Sequence, residues 1–381
     1  MILHVRFIHH LSTAALLVVF VLAAPPAVYP QEQRDTRIII FTPTTADNTY
    51  WPQVYAVLNA AAEDLGVELL GYEFDVEDRF AKHTEGLEIL RSTREIDGAI
   101  FSVAFGQTEP LLRATDRRGI PVFIQGPLFE SELRRVGGAP REVFGSWVGY
   151  FYQDEKEKGY ELGRILLSGA LEAGLFDSRG NVHVAGIGGD PTWFGSELRA
   201  AGLVQAVEEE PRGLLTQVVP TQWTQAEGRR VAAGLLARYP ELSVIWAASD
   251  QLAIGAADAA REAGRDPNGD LLLGGLDLSP PGLRAVEDGV LTATVASSLL
   301  SYAEVLVYLY DYIQGYDFAS EVGAEIRLGV HLTTEATAAR HLLLYRSLNA
   351  IDFALFSRAL NPEHPGYDFS LAAYERALDT R

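Results

Sequence analysis

Short apolar runs rich in β-branched residues alternate with amphipathic stretches, and this alternation restricts the fold more than any other feature of the sequence. The run from Ile38 to Phe41 is too short for a helix, and Pro43 is expected to end it. An amphipathic stretch from Pro52 to Leu65 follows, with Gly66 as its expected stop. The same rhythm predicts strands at 67–74, 99–105 and 120–124 and helices at 79–92 and 109–118. Such alternation is typical of βαβ units with a parallel sheet.

A second set of the same alternation follows along the chain. Its predicted strands lie at 182–187, 215–219, 243–248, 271–276 and 293–296, and its helices at 156–173, 196–209, 225–239 and 252–263. The segment between the sets, Gly126 to Tyr152, has broken periodicity, which indicates the first crossing between two lobes. A long apolar helix at 300–313 and helical segments after Thr333 complete the chain. The sequence predicts an α/β fold of two Rossmann-like lobes with parallel sheets.

Composition excludes several classes of protein. A chain of 381 residues with 48% hydrophobic and 22% charged residues is long and apolar enough for two folded domains. The net charge of −20 disfavours nucleic acid and anionic membrane surfaces as partners. Since the chain has no Cys, disulfides, thiol nucleophiles and Cys-ligated zinc are excluded.

The first 30 residues have the pattern of a secretory signal peptide. Arg6 and three nearby His residues precede an apolar run from Leu11 to Ala24, and small and turn-forming residues follow. The run is short for a membrane span, and an uncleaved anchor is the alternative. Cleavage is expected between Ala24 and Gln31, so residues 1–30 are predicted to direct export.

The motifs predict no catalytic residue, no metal site and no cofactor. Gly186–Gly189 follows a strand, but its spacing to the next helix is wrong for a dinucleotide fingerprint, and Asp190 would repel a pyrophosphate. The acidic residues Asp154, Glu155 and Glu157 open a predicted helix, where capping and the helix dipole explain them. The eight His residues show no metal-ligand spacing, and the sequence has neither GxSxG nor a P-loop.

Polar or aromatic residues recur just past the predicted strands. They are Tyr50, Trp51, Gln153, Trp223, Ser249, Asp277 and Ser297, with Arg199 in the helix after the strand at 182–187. Ligands of open α/β sheets bind at the carboxyl ends of the strands, so these residues favour a cleft. A buried Arg199 needs a partner: either Asp277 supplies it, or both side chains face a ligand. For each aromatic ring, a place in the core is the alternative.

The order of motifs resembles the type I periplasmic solute-binding proteins, the ribose-binding-protein group of sugar ABC transporter receptors, over about residues 37–330. Asn48–Trp51 resembles the family's Asn-x-aromatic-aromatic stretch, and Ser249–Gly255 matches its Asn/Ser-Asp-x-x-Ala-x-Gly signature. Other similar stretches are Asp97-Gly98, Gly119–Val122, Gln153-Asp154, Arg199–Gly202, Gly274–Asp277 and Asp288–Val295. The resemblance implies the type I periplasmic binding protein fold, with two lobes joined by a hinge.

The resemblance also implies a set of ligand-binding residues. Asn48, Tyr50 and Trp51 would form the first-lobe wall, and the second wall would contain Gln153, Arg199, Trp223, Ser249 and Asp277, with Ser297 near a hinge. Trp51 and Trp223 would sandwich the ligand, while Arg199 and Asp277 would hold its hydroxyls. Gln125 is a further candidate; Gly126-Pro127 follows it where ribose receptors carry Asp-Arg. This departure leaves the ligand open, including a furanosyl-type signal of the kind that autoinducer-2 receptors bind.

These implications set the expected organisation of the chain. The first lobe is expected to comprise 36–152 and 297–322, the second 153–296 and 323–332, and a helical extension 333–381 that covers the second lobe or meets a partner. The expected function is a monomeric, non-enzymatic periplasmic protein that captures a small polyhydroxylated ligand, a sugar or related polyol, for an ABC transporter permease.

Other functions remain as alternatives to this expectation. A ligand-sensing co-receptor for a membrane sensor histidine kinase is the main one. The effector domain of a sugar-responsive repressor is disfavoured, because the chain carries an export signal and lacks a basic helix-turn-helix segment. A glycoside-processing enzyme is the most distant alternative.

Overall fold

The computed structural model describes residues 35–44, 49–75, 79–92, 95–102 and 107–378. The predicted signal peptide, Asn48 and residues 103–105 of the predicted third strand lie outside the described residues.

The first part of the described chain alternates strands with helices. The strands are β1 Thr36–Thr44, β2 Val67–Asp75, β3 Gly98–Ser102, β4 Val122–Gln125 and β5 Trp147–Gln153. The helices are α1 Tyr50–Leu65, α2 Arg79–Ser92, α3 Thr108–Asp116 and α4 Glu130–Val136. Residues 38–41 of β1 are buried, since the strand pairs with β2 on one side and β3 on the other.

The second part repeats this pattern in a second sheet. Its helices are α5 Glu155–Glu172, α6 Phe194–Glu209, α7 Gln225–Arg238, α8 Asp250–Glu262 and α9 Pro280–Glu287. Its strands are β6 Val182–Ile187, β7 Gly213–Val219, β8 Leu242–Ala247, β9 Leu272–Leu276 and β10 Ala293–Ala296.

The chain then returns to the first sheet before it ends. Helices α10 Ser301–Ile313 and α11 Ala319–Val322 precede β11 Glu325–Leu328, which pairs parallel with β5, and β12 His331–Thr333 pairs antiparallel with β10. The strand orders are β11-β5-β4-β3-β1-β2 and β12-β10-β9-β8-β6-β7. The chain passes between the sheets after Gln153, after Ala296 and between Leu328 and His331. The predicted α/β fold with two largely parallel sheets is confirmed.

The C-terminal extension contacts both lobes. It contains α12 Glu335–Arg346, two short 3₁₀ helices at Leu348–Ala350 and Phe353–Phe356, and α13 Leu371–Leu378. Helix α12 packs on α9 and buries Leu342 in the second-lobe core, whereas Phe353 and Tyr374 lie in the first-lobe core. The Tyr345 hydroxyl accepts from the Leu299 N–H at 2.9 Å, so the extension also holds the crossing after β10. The expectation that the extension covers the second lobe was therefore too narrow.

Several predicted elements need correction. Pro43 does not end β1, which continues to Thr44; beyond Phe41 the strand has a described pairing only with β2, so a residue without an N–H fits there. Tyr50 and Trp51 belong to α1 instead of preceding it. The segment 126–152 is not an irregular crossing between the lobes. It contains helix α4 and nearly all of β5, a strand of the first sheet. The sequence also missed α9, α11, β11 and β12, all of which are short.

The helices of the described residues include none with the length and hydropathy that a membrane span requires.

Candidate functional site

The carboxyl ends of the strands in the two lobes meet in the described structure. Thr49, after β1, donates its hydroxyl to the Gln251 side-chain oxygen in α8 at 3.0 Å. Phe129, after β4, stacks on Phe194, after β6, with ring centroids 4.2 Å apart. These contacts join residues of both lobes that follow the strands, so the structure shows the lobes closed over the strand ends.

The first lobe contributes a group of linked polar side chains. The hydroxyls of Tyr50 and Tyr302 are 3.3 Å apart, and the Gln125 amide nitrogen donates to the Tyr302 hydroxyl. The Ser102 hydroxyl donates to the Gln125 oxygen at 2.9 Å. Burial raises the pKa of both phenols, so Tyr50 and Tyr302 are neutral hydrogen-bonding groups at physiological pH.

Trp51 lies deeper than Tyr50 in the first lobe. Its side chain is 8% exposed and packs edge-on against Tyr302, with centroids 6.1 Å apart. Asp277 and Arg199 of the second lobe act electrostatically on the Tyr50 phenol, which places that phenol near the second-lobe charges. Of the two aromatics, Tyr50 is therefore the one that faces the second lobe, and the stacking role expected for Trp51 stays a prediction.

The second lobe contributes a buried ionic cluster. Arg199, which is 6% exposed, donates from Nε to the Glu155 carboxylate at 2.6 Å and from Nη1 to Asp277 at 3.2 Å. Its Nη1 also donates to the carbonyl of Ala248, the residue after β8. The Lys158 ammonium lies 2.6 Å from the same Glu155 carboxylate. The sequence-based pairing of Arg199 with Asp277 is thus present in the structure.

Burial shifts the pKa values in this cluster. It raises the pKa of Asp277 to about 6, although Arg199 and Lys158 oppose the shift. It would also raise the pKa of Glu155, but the two cations outweigh it and hold that pKa below its ordinary value. Burial and the neighbouring Arg199 lower the pKa of Lys158 to about 8. At neutral pH the cluster contains two cations and two mainly ionised carboxyls.

Aromatic rings flank Arg199 on the second lobe. Its guanidinium lies 5.1 Å from the Trp193 ring centroid and 5.6 Å from that of Trp223, and the two indoles meet edge to face. A Cβ on Gly189 would collide with the Trp223 ring, so the glycine allows that ring its position. Trp223 is half-buried, so part of the residue remains exposed.

Three candidate residues lie where the chain leaves a strand near the cluster. The Ser249 hydroxyl caps α8 by accepting from the Leu252 N–H at 3.2 Å. The Gln153 side-chain oxygen accepts from the Lys158 ammonium at 2.8 Å. The Ser297 hydroxyl is buried and has no hydrogen-bond partner in the described part of the chain. A buried unpartnered hydroxyl is costly, and a ligand oxygen would satisfy it.

Sequence reasoning missed Ser102 and four further residues of this site. Trp193 and Tyr302 come together with the others only through the fold: Tyr302 meets a glutamine 177 positions earlier. Glu155 and Lys158 carried a signal, because they lie on the face of α5 that also carries the buried Leu162, where a charge must be paired. Asp154 does cap α5, as predicted, whereas Glu155 turns inward. Asn48 lies outside the described residues.

Two α/β lobes that close over charged and aromatic side chains, with three crossings between them, define a two-lobed ligand-binding protein. The family model of the periplasmic binding protein domain matches residues 39–316. The D-allose-binding periplasmic protein of Escherichia coli is 33% identical over 256 residues, which are 67% of this chain and 77% of that protein. The chain belongs to the periplasmic binding protein family, as its resemblance indicated.

Solved structures agree with this assignment. A periplasmic sugar-binding protein from Pseudomonas fluorescens has a TM-score of 0.77 at 28% identity, covering 90% of this chain and 99% of that one. An ABC transporter solute-binding protein from Actinobacillus succinogenes with bound D-allose has a TM-score of 0.68 at 19% identity, covering 80% of this chain and 99% of that one. At 19% identity, the similarity to the Actinobacillus succinogenes protein shows a shared fold only.

Proposed function

We propose that this protein captures a small polyhydroxylated ligand, a sugar or related polyol, between its two lobes and delivers it to an ABC transporter permease. The observation that carries the proposal is the buried Arg199–Asp277 pair at the strand ends of the second lobe, opposite the Tyr50 phenol. Fixed guanidinium and carboxylate groups form charge-assisted hydrogen bonds with ligand hydroxyls, while Trp223 and Tyr50 offer apolar ring faces to C–H groups.

The related proteins support the ligand class. The Escherichia coli relative is named for D-allose and for the periplasm, and the Pseudomonas fluorescens structure is of a periplasmic sugar-binding protein. We assign the ligand-binding role to Asn48, Tyr50, Trp51, Gln125, Gln153, Arg199, Trp223, Ser249, Asp277 and Ser297. The protein acts as a monomer without catalysis, and no observation favours the sensor-kinase role.

Location and domain boundaries are part of the same proposal. Residues 1–30 direct export to the periplasm and are removed, which N-terminal sequencing of the mature protein checks: a first residue before Ala24 would contradict it. The first lobe comprises 36–152 and 297–322, although β11 also places 325–328 in the first sheet.

Arg199→Ala tests the site. Calorimetric titration of a panel of pentoses, hexoses and polyols first identifies the sugar that the wild type binds best. The variant should bind that sugar at least about 30-fold more weakly, equivalent to roughly 2 kcal/mol, because charge-assisted hydrogen bonds are lost. Arg229→Ala is the matched control, since Arg229 pairs with Glu262 on the exposed surface.

Unchanged affinity in a folded Arg199→Ala protein would contradict the site assignment. Failure of the wild type to bind any sugar in the panel would contradict the ligand class.

A further inference from the structure

Lys158 is a buried lysine, so its charge contributes neither to the protein surface nor to an exposed ion pair. Its side chain is 1% exposed, and it is the fourth residue of α5. Lysine is almost never fully buried unless it is paired, and here the ammonium contacts the Glu155 carboxylate at 2.6 Å. Glu155 also accepts from Arg199, which in turn pairs with Asp277, so Lys158 supplies the second positive charge of the cluster.

The second contact of Lys158 defines the orientation of the Gln153 carboxamide. The ammonium lies 2.8 Å from Gln153 Oε1, and the Ser297 N–H approaches the same atom at 3.4 Å. An ammonium and a backbone N–H can only donate, so the atom that faces both must be oxygen. The Gln153 NH₂ group consequently points away from both donors, and it makes no hydrogen bond with the described residues.

Gln153 and Ser297 belong to two of the chain crossings between the lobes, one after β5 and one after β10. The buried Ser297 hydroxyl lacks a partner among the described residues. Arg199 and Asp277 act electrostatically on Lys158, which places the three side chains in the ionic cluster of the proposed site. The Gln153 NH₂ group and the buried Ser297 hydroxyl are therefore both available to a ligand, and the contact with Lys158 orients the Gln153 carboxamide.

We propose that Lys158 is a positioning residue that holds the Gln153 oxygen, so that the Gln153 NH₂ group donates to an acceptor oxygen of the bound ligand beside Ser297. The inference rests on the proposed function and narrows its ligand class. Since Glu155 and Asp277 already match the charges of Lys158 and Arg199, the site prefers a neutral polyol to an anionic sugar acid.

The proposal predicts a pH dependence that a purely structural lysine would not produce. Glu155 on the same helix, Arg199 on α6 and Asp277 after β9 are the charged groups that act on Lys158, and its pKa is lowered to about 8. Above that pH the amine loses its charge and holds the Gln153 oxygen more weakly. Tyr50 and Tyr302 stay protonated there because burial raises their pKa above the ordinary value. Ligand affinity should fall several-fold between pH 7.5 and pH 9.5 as the lysine deprotonates.

Calorimetry with the sugar that the wild type binds best, between pH 6.5 and pH 9.5, tests the proposal. Lys158→Met keeps an unbranched side chain that lacks only the terminal ammonium position, and the variant should bind about tenfold more weakly at pH 7 with no decline above pH 8. Gln153→Met should show the same loss and the same flat profile, and the double variant should be no worse than either single one. Lys156→Met, exposed and two positions away, is the control and should match the wild type.

Additive losses in the double variant, or an alkaline decline that persists in Gln153→Met, would overturn the proposal. If Lys158→Met does not fold, Gln153→Met alone decides, since it leaves all four charges in place. A wild type that binds no sugar overturns the proposed function itself, whereas a wild type that binds with a flat profile overturns only the role of Lys158.

Discussion

At the scale of single residues, buried charge defines the candidate site. Arg199 is buried away from water and contacts the Glu155 and Asp277 carboxylates and the rings of two indoles instead. Asp277 adopts a φ of 121°, a conformation that costs a residue with a Cβ and persists only where its surroundings fix it. Backbone strain at a residue that pairs with Arg199 fits a role in ligand binding more closely than a role in stability.

Another buried titratable group lies in the C-terminal extension. His341 on α12 is 6% exposed, and its Nδ1 has no partner in the described part of the chain. Burial, with smaller effects of His331 and Arg340, lowers the pKa of His341 to about 4, while Glu375 opposes the shift. The folded state thus binds this proton less readily than the unfolded chain does.

The free energy of unfolding should therefore decrease as the pH is lowered and the unfolded state takes up the His341 proton. The contribution is complete above the unfolded pKa of about 6.5 and is lost progressively as the pH falls towards 4. Urea unfolding at pH 7 and pH 4.5 should show a decrease about 2–3 kcal/mol larger in the wild type than in His341→Leu. Equal decreases in both proteins would mean that His341 stays protonated or becomes accessible in the folded state.

At the scale of elements, two glycines set the distance between α5 and α6. A Cβ on Gly159 would lie 2.0 Å from the Arg199 carbonyl oxygen, and one on Gly202 would lie 2.1 Å from the Lys156 carbonyl oxygen. The helices consequently approach backbone to backbone at the level of the ionic cluster. This approach allows Arg199 on α6 to reach Glu155 on α5.

Gly159→Ala should separate the two helices. We expect a loss of about 2 kcal/mol or more in the free energy of unfolding and weaker sugar binding, since overpacking displaces Arg199. Gly234→Ala is the matched control, because nothing lies within 4 Å of a Cβ at that helical position. The control should gain roughly 0.5–1 kcal/mol from helix propensity. Thermal and urea unfolding measure both; a Gly159→Ala protein as stable as the control would contradict this packing.

The elements that could be predicted from the sequence are those with strong local signals. The strand at 182–187 and the helix at 79–92 have the predicted bounds, since periodicity and turn residues define them locally. Strands β11 and β12, of four and three residues, could not be predicted, because only pairing with distant strands stabilises them. The Arg199–Asp277 pair could be expected because both residues lie in recognisable motifs. The Tyr302–Gln125 contact could not, because only the folded chain brings these two residues together.

At the scale of the whole molecule, contacts between the lobes join the same strand ends that carry the charges. The Phe129–Phe194 stack and the Thr49–Gln251 hydrogen bond connect the two lobes. The C-terminal extension connects them again through α12, α13 and the bidentate Arg340–Glu375 pair. A ligand that bonds both walls would favour this closed arrangement over an open one in proportion to the contacts it gains.

Small-angle X-ray scattering, with and without the sugar that the wild type binds best, tests the central claim most directly. If the ligand is captured between the lobes, saturating sugar should lower the radius of gyration of the wild type and leave that of Arg199→Ala unchanged at the same concentration. Tight binding with no change in the radius of gyration would contradict capture by closure, as would an equal change in the variant.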